Sequence, residues 1–168
     1  AKEFPERFFQ IGIAEANMIG IAAGLSIGGM VPFTGTFANF STARVYDQIR
    51  QVVSYSNKNV KICASHAGIT LGEDGATHQC NEDIALMNVV PGMTVISPAD
   101  DTEAKKAVYA AYEHDGPVYI RFGRLATPVI FDEDYKFPKG DVIALMNGSF
   151  ITLGTISYNI ERLLVIID

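Results

Sequence analysis

Thr94-Val95-Ile96-Ser97-Pro98-Ala99-Asp100-Asp101-Thr102-Glu103-Ala104-Lys105-Lys106-Ala107-Val108-Tyr109-Ala110-Ala111-Tyr112-Glu113-His114-Asp115-Gly116-Pro117-Val118-Tyr119-Ile120-Arg121-Phe122 reads in one pass as strand, helix and strand. Asp100 or Asp101 can cap the helix, and Glu103 suits its positive end. Ala104, Ala107, Val108 and Ala111 form an inward stripe at helical spacing. Gly116-Pro117 stops the helix and opens the next β-branched and aromatic run. A strand, a covering helix and a second strand with short joints form the unit of a parallel sheet.

The alternation extends upstream. Residues 8–13, 30–34 and 60–65 join 94–97 and 118–122 as apolar or β-branched strand runs. Helical patterns fall between them at 14–27, 41–54, 81–88 and 101–114. This predicts an α/β fold, a parallel sheet with helices on both faces. Gly20, Gly24 and Gly28 recur at four-residue spacing in the first helix, which predicts close helix–sheet or helix–helix packing there. Beyond Pro138 the pattern changes to a hairpin-like passage, 142–146 and 150–153 around Asn147-Gly148. We therefore divide the chain into a domain at 1–138 and a linker with the truncated start of another domain at 139–168.

Composition narrows the function. The 168 residues are 48% hydrophobic and 19% charged, enough apolar content to bury a core. A net charge of -6, with no long basic cluster, argues against nucleic acid or an anionic membrane as partner. Cys63 and Cys80 make no disulfide framework, so the expected compartment is the reducing cytoplasm. Residues 16–43 carry no formal charge, but Asn17, Pro32 and the glycines interrupt them, so no membrane span is expected. The N-terminus has no signal-peptide pattern, and the abrupt ends suggest a piece of a larger chain or a split subunit.

The chemistry concentrates after the strand at 60–65. Ser65-His66-Ala67-Gly68-Ile69-Thr70-Leu71-Gly72-Glu73-Asp74-Gly75-Ala76-Thr77-His78-Gln79 combines imidazoles, acids and permissive glycines in one loop. Loops at strand ends carry chemistry in such sheets. His66, His78 and Cys80 match no zinc spacing, and Gly72-Glu73-Asp74-Gly75 lacks a calcium-loop pattern, so no metal site is assigned. Instead His66, Asp74 and His78 read as polar groups converging on a hydroxylated substrate. Glu15, opening the first helix among uncharged neighbours, serves either the helix dipole or a protonatable ring nitrogen. Phe37 and Phe40 at a strand end are either core or a flat wall for a heteroaromatic ring. Arg121 and Arg124 close the last strand, where they pair with surface acids or bind an anion such as a sugar phosphate. Dinucleotide, nucleoside triphosphate and serine-hydrolase fingerprints are missing from the sequence.

Taken in order, these motifs resemble the pyrimidine-binding domain of transketolase, a thiamine diphosphate enzyme. The landmarks are Arg7-Phe8-Phe9-Gln10-Ile11-Gly12-Ile13-Ala14-Glu15, Gly35-Thr36-Phe37-Ala38-Asn39-Phe40, the 65–79 loop, Ser97-Pro98-Ala99-Asp100 and Arg121-Phe122-Gly123-Arg124. The arrangement is most similar to split transketolases, in which this half is a separate C-terminal subunit. The resemblance implies that Glu15 hydrogen-bonds the aminopyrimidine ring and drives its amino–imino tautomerism, and that Phe37 and Phe40 pack against that ring. It implies catalytic and substrate contacts from His66 and His78, with Asp74 and Arg124 also binding substrate. It further implies transfer of a two-carbon ketol unit between sugar phosphates. Mg²⁺ and the diphosphate would be held by a partner domain or subunit, in a homodimer or heterotetramer, because the Gly-Asp-Gly…Asn pattern is absent here. The chain departs from the family in its Ala14-Glu15-Ala16 order and in Ala43, which stands where other members place a third aromatic. Related readings are 1-deoxyxylulose 5-phosphate synthase, which shares the Asp47-Gln48-Ile49 region, a 2-oxoacid dehydrogenase β subunit, and a noncatalytic module of the same fold.

Overall fold

The computed structural model describes residues 1–137 and, as backbone, the strand residues 144–147 and 150–153. In chain order the main elements are α1 (Glu15–Ile27), β1 (Phe33–Phe37), α2 (Ala38–Ser41), α3 (Tyr46–Gln48), β2 (Lys61–Ser65), α4 (Asp83–Asn88), β3 (Thr94–Ile96), α5 (Asp101–Glu113) and β4 (Val118–Arg121). Strands β1 to β4 form one parallel sheet in the order β1-β2-β4-β3. Two further strands, β5 (Ala144–Asn147) and β6 (Phe150–Leu153), pair antiparallel with each other, as the hairpin reading predicts. The expected turn residue Gly148 and the rest of the 139–168 division lie outside the described residues.

Strand alternation sorts side chains onto two cores. Ile62, Ala64, Val95 and Tyr119 face a core shared with Ile19, Ala22 and Ala23 of α1, Val45, Ile49, Val53 and Met87. Cys63, Ile96, Val118 and Ile120 face the other, covered by Ala107, Val108 and Ala111 of α5. Both faces of the sheet are therefore covered by helices. Each Ile or Met buried in these layers contributes about 1.5–3 kcal/mol relative to exposure.

Four local readings need correction. Residues 8–13 form no strand: a 3-10 turn at Pro5–Arg7 leads into irregular chain, with Phe8 and Phe9 about half-exposed and Ile13 94% exposed. Gly12, at φ +78°, breaks the extended run, and its N–H is taken by the Gln10 side chain instead of a neighbouring strand. The second strand starts at Phe33, because Gly28 and Gly29 turn the chain and Pro32 has no N–H to give a ladder. Pro32 still contributes its carbonyl, which accepts from the Lys61 N–H.

Residues 41–54 form no single helix. Thr42 donates its hydroxyl to the Ala38 carbonyl and leaves helical geometry at φ -124°, ψ -81°. That back-bond competes with the regular ladder. The chain then runs through a 3-10 turn at Ala43–Val45, α3, and a π-helical segment at Ile49–Ser54. Finally, Gly20 and Gly24 are exposed, and a Cβ at either would meet nothing within 4 Å. Among the described residues they mediate no close packing.

Candidate functional site

The C-terminal ends of β1, β2 and β4 bring the sequence-predicted groups to one edge of the sheet. Phe37 ends β1, and Phe40 follows in α2. His66 stands directly after β2 at φ +60°, a left-handed conformation uncommon for a bulky residue and typical of constrained functional loops. Its ring stacks on Phe37 with centroids 3.8 Å apart, and Nδ1 lies 2.9 Å from the Ser65 hydroxyl. Phe37 and Phe40 run parallel, 7° apart in plane at 5.9 Å. His78 meets Phe40 edge-on at 5.2 Å and Phe37 at 6.4 Å. Asn39 ties the wall to the loop by donating from Nδ2 to the Thr77 carbonyl. Both histidines and both phenylalanines thus form one aromatic cluster.

Glu15 opens α1 and is buried, with 8% exposure. Its surroundings are not uncharged, as its sequence neighbours suggest. Arg44 donates from Nη1 to Glu15 Oε1 at 3.3 Å and lies over the Phe40 ring, 3.9 Å from Cζ to the centroid. Sequence reasoning passed over Arg44 as a binding-site group. The available signal was its position four residues after Phe40, the spacing at which helical side chains meet. It stands beside Ala43, where the family resemblance leads one to expect an aromatic.

Asp74 and Arg124 meet each other and are drawn to neither histidine. Arg124 contacts Asp74 at 3.5 Å and Glu73 at 3.0 Å, and donates to the Leu71 carbonyl. The fork passes so close to Gly72, at φ +92°, that a Cβ there would lie 2.9 Å from Nη1. In this structure Arg124 clamps the loop, with its donors turned to acids of the same chain.

Beneath the loop lies a second group missed from sequence. Asp83 is fully buried, and its Oδ2 accepts from the Tyr119 hydroxyl and from Arg121 Nε, each at 2.8 Å. Burial and the adjacent carboxylate push the Tyr119 phenol well above its ordinary pKa. Arg121 in turn packs against Gly68, where a Cβ would sit 3.2 Å from Nη2. Gly68 and Cys80 exchange backbone hydrogen bonds, which closes the base of the loop. Burial raises the pKa of both thiols, that of Cys63 to about 11, so neither cysteine is an activated nucleophile.

These groups fit one end of a thiamine cofactor. The Glu15 carboxylate can accept a ring N–H, and Phe40 has a flat apolar face, on which the Arg44 guanidinium lies in this structure. Among the described residues no group of three or more His, Cys, Asp or Glu side chains is arranged to hold a metal ion. No helix among them is long and apolar enough to cross a membrane.

Comparison with known proteins identifies the family. The family model for the transketolase pyrimidine-binding domain matches residues 1–129. A Methanocaldococcus jannaschii protein named as a transketolase C-terminal section is 47% identical over 155 residues, covering 91% of this chain and 49% of that protein. A 6-deoxy-6-sulfo-D-fructose transketolase subunit from a Clostridium species is 41% identical, over 91% of this chain and 48% of its own length. A solved split-gene transketolase, an inactive β4 tetramer, superposes with a TM-score of 0.78 at 49% identity, over 88% of this chain and 47% of that one. The chain spans about half the length of these relatives. By sequence and by fold, it belongs to the transketolase pyrimidine-binding domain family.

Proposed function

We propose that this chain supplies the pyrimidine half of a thiamine diphosphate site, and that a diphosphate-binding domain on a partner completes it. The reaction is transfer of a two-carbon ketol unit between sugar phosphates. The observation that carries this reading is the buried Glu15 carboxylate, paired with an Arg44 guanidinium that lies over Phe40 of the Phe37–Phe40 wall. Thiamine diphosphate supplies a carbon nucleophile when bound. The chain's own part is to hold the pyrimidine ring against Phe40 and to share a proton with a ring nitrogen through Glu15. His66 and His78, standing over the same wall, present ring nitrogens to substrate hydroxyl and carbonyl oxygens. The Leu71–Asp74 turn and Arg124 face the phosphate end, with Arg124 exchanging its carboxylate partners for the substrate anion.

The need for a second subunit is supported by the split-gene relative, which is inactive as a β4 tetramer. The test mixes this chain with a diphosphate-binding domain and follows ketose phosphate consumption, with pyruvate as the competing donor. Activity should appear only in the mixture, require both thiamine diphosphate and Mg²⁺, and prefer the ketose phosphate. Glu15→Gln should leave the unfolding midpoint unchanged while lowering turnover at least ~100-fold, the scale of a lost general acid–base group. Full turnover by the isolated chain would overturn the shared-site reading. An undiminished Glu15→Gln enzyme would remove Glu15 from the chemistry.

A further inference from the structure

We propose that Arg44 is an internal occupant of the ring site: its guanidinium takes the place between Glu15 and Phe40 that a planar nitrogen heterocycle needs, and binding requires its displacement. The inference rests on the functional reading above and adds a gate to it.

A ring bound here must make two contacts, a stack on the Phe40 face and an N–H donated to Glu15. Arg44 already makes both, at 3.9 Å and 3.3 Å. Guanidinium is the side-chain group best able to imitate such a ring, being flat, delocalised, weakly hydrated and rich in N–H donors along its edge. The other ring of the wall is covered as well, since His66 stacks on Phe37 at 3.8 Å. Each ring of the wall thus has one face taken by a side chain of this chain, Phe40 by Arg44 and Phe37 by His66.

The occupant is built to leave. The Arg44 side chain is 50% exposed, whereas that of Glu15 is 10% exposed, so one partner of the pair can swing into water while the other stays fixed. Ion pairs and cation–π contacts at exposed positions are weak. Arg44 also stands in the 3-10 turn Ala43–Val45, just after the break at Thr42, and carries no share of the buried core. A competing ring that stacks more broadly and donates to Glu15 from a dry edge wins, but only after displacing Arg44. The guanidinium meanwhile keeps the buried carboxylate paired when no ring is bound.

The alternative is that Arg44 is a fixed support that orients Glu15. The two predict opposite effects of removing it. The probe is the pyrimidine end alone, 4-amino-5-hydroxymethyl-2-methylpyrimidine, titrated into the full chain by NMR and followed at the Phe40 and Phe37 rings. Arg44→Ala should tighten its dissociation constant about ten-fold, or about 1.4 kcal/mol, and Glu15→Gln should abolish binding. Methylguanidinium should bind Arg44→Ala and compete there with the pyrimidine, while leaving the unsubstituted chain unaffected. Arg44→Ala leaves the buried Glu15 carboxylate without this partner, so its urea midpoint should fall slightly, and a dispersed NMR spectrum shows that the variant is folded when titrated. Glu15-dependent binding by the parent with equal or weaker binding by Arg44→Ala would overturn the gate and leave the functional reading standing. If neither protein bound the pyrimidine, the ring site itself would be refuted and the gate with it.

Discussion

Lys61 carries a charged group into the floor of the sheet. The residue is fully buried at the start of β2, and its Nζ donates to the His114 carbonyl at 2.7 Å and the Gly116 carbonyl at 2.6 Å. Burial pulls its pKa down to about 8, against Asp115, which pulls it up. The unfolded chain keeps its proton until about pH 10.4. Between those values the unfolded state binds more protons, so the sign is fixed: stability from this group rises with pH from about 8 upward. The full effect is up to about 3 kcal/mol. Urea unfolding of the parent and Lys61→Met between pH 7 and 10 should show the parent gaining on the variant, whereas parallel curves would contradict the assignment. The same comparison cancels the thiols, whose raised values act in the opposite direction at higher pH. None of this was legible in Val60-Lys61-Ile62, because the acceptors stand more than fifty residues further on. Glu15, Phe37, Phe40 and His66 were legible as candidates because each sits at or next to a strand or helix end, and His78 because it shares the glycine-rich loop with His66. Their pairing was not: what touches Glu15 is Arg44, from a turn whose path depends on the Thr42 back-bond.

Among the elements, α5 was the most readable, and the structure decides between its two capping candidates. Asp100 is the cap. Its Oδ1 accepts from the Glu103 N–H at 2.8 Å, and its Oδ2 from Ile130 and Phe131 at 2.7 and 2.8 Å. Glu103 answers by accepting from the Ala99 N–H and the Tyr135 hydroxyl. One carboxylate thus starts the helix and fastens the segment after β4 to it. Burial raises the Asp100 pKa, but the backbone N–H groups outweigh it and the net direction is down. Its contribution is therefore complete above the ordinary carboxylate range and is lost as pH falls through the depressed value. Asp100→Ala should cost about 2 kcal/mol at neutral pH, a cap plus charge-assisted bonds to the tail. That cost should shrink below about pH 4, as thermal unfolding across the acid range would show; a penalty independent of pH would argue against the ionised cap. The elements misread from sequence failed for local reasons. A positive-φ glycine interrupts 8–13, a proline delays β1, and a threonine breaks 41–54. Apolar periodicity reports burial, but not these interruptions of the hydrogen-bond ladder.

At the scale of the whole molecule, the two-faced sheet follows from side-chain alternation, yet the strand order does not. β4 is the fourth of the parallel strands in the chain and lies between β2 and β3. Its residues serve both cores in turn, with Val118 and Ile120 on one side and Tyr119 on the other. Arg121 then latches onto buried Asp83. A chain emerging residue by residue from the ribosome must hold β2 and β3 a strand's width apart, each with an open edge, until β4 arrives between them. Assembly of the sheet is therefore an insertion rather than an extension, and the non-local contacts it needs make for slow, late cooperativity. A fragment ending at Pro117 should show no cooperative urea transition, while the full chain shows a single sharp one. A sharp transition in the fragment would mean that β1 and β2 hold a native sheet unaided. During that interval the β2 edge is exposed to any passing strand, so the step most vulnerable to aggregation falls just before the segment bearing Arg121 and Arg124 is complete.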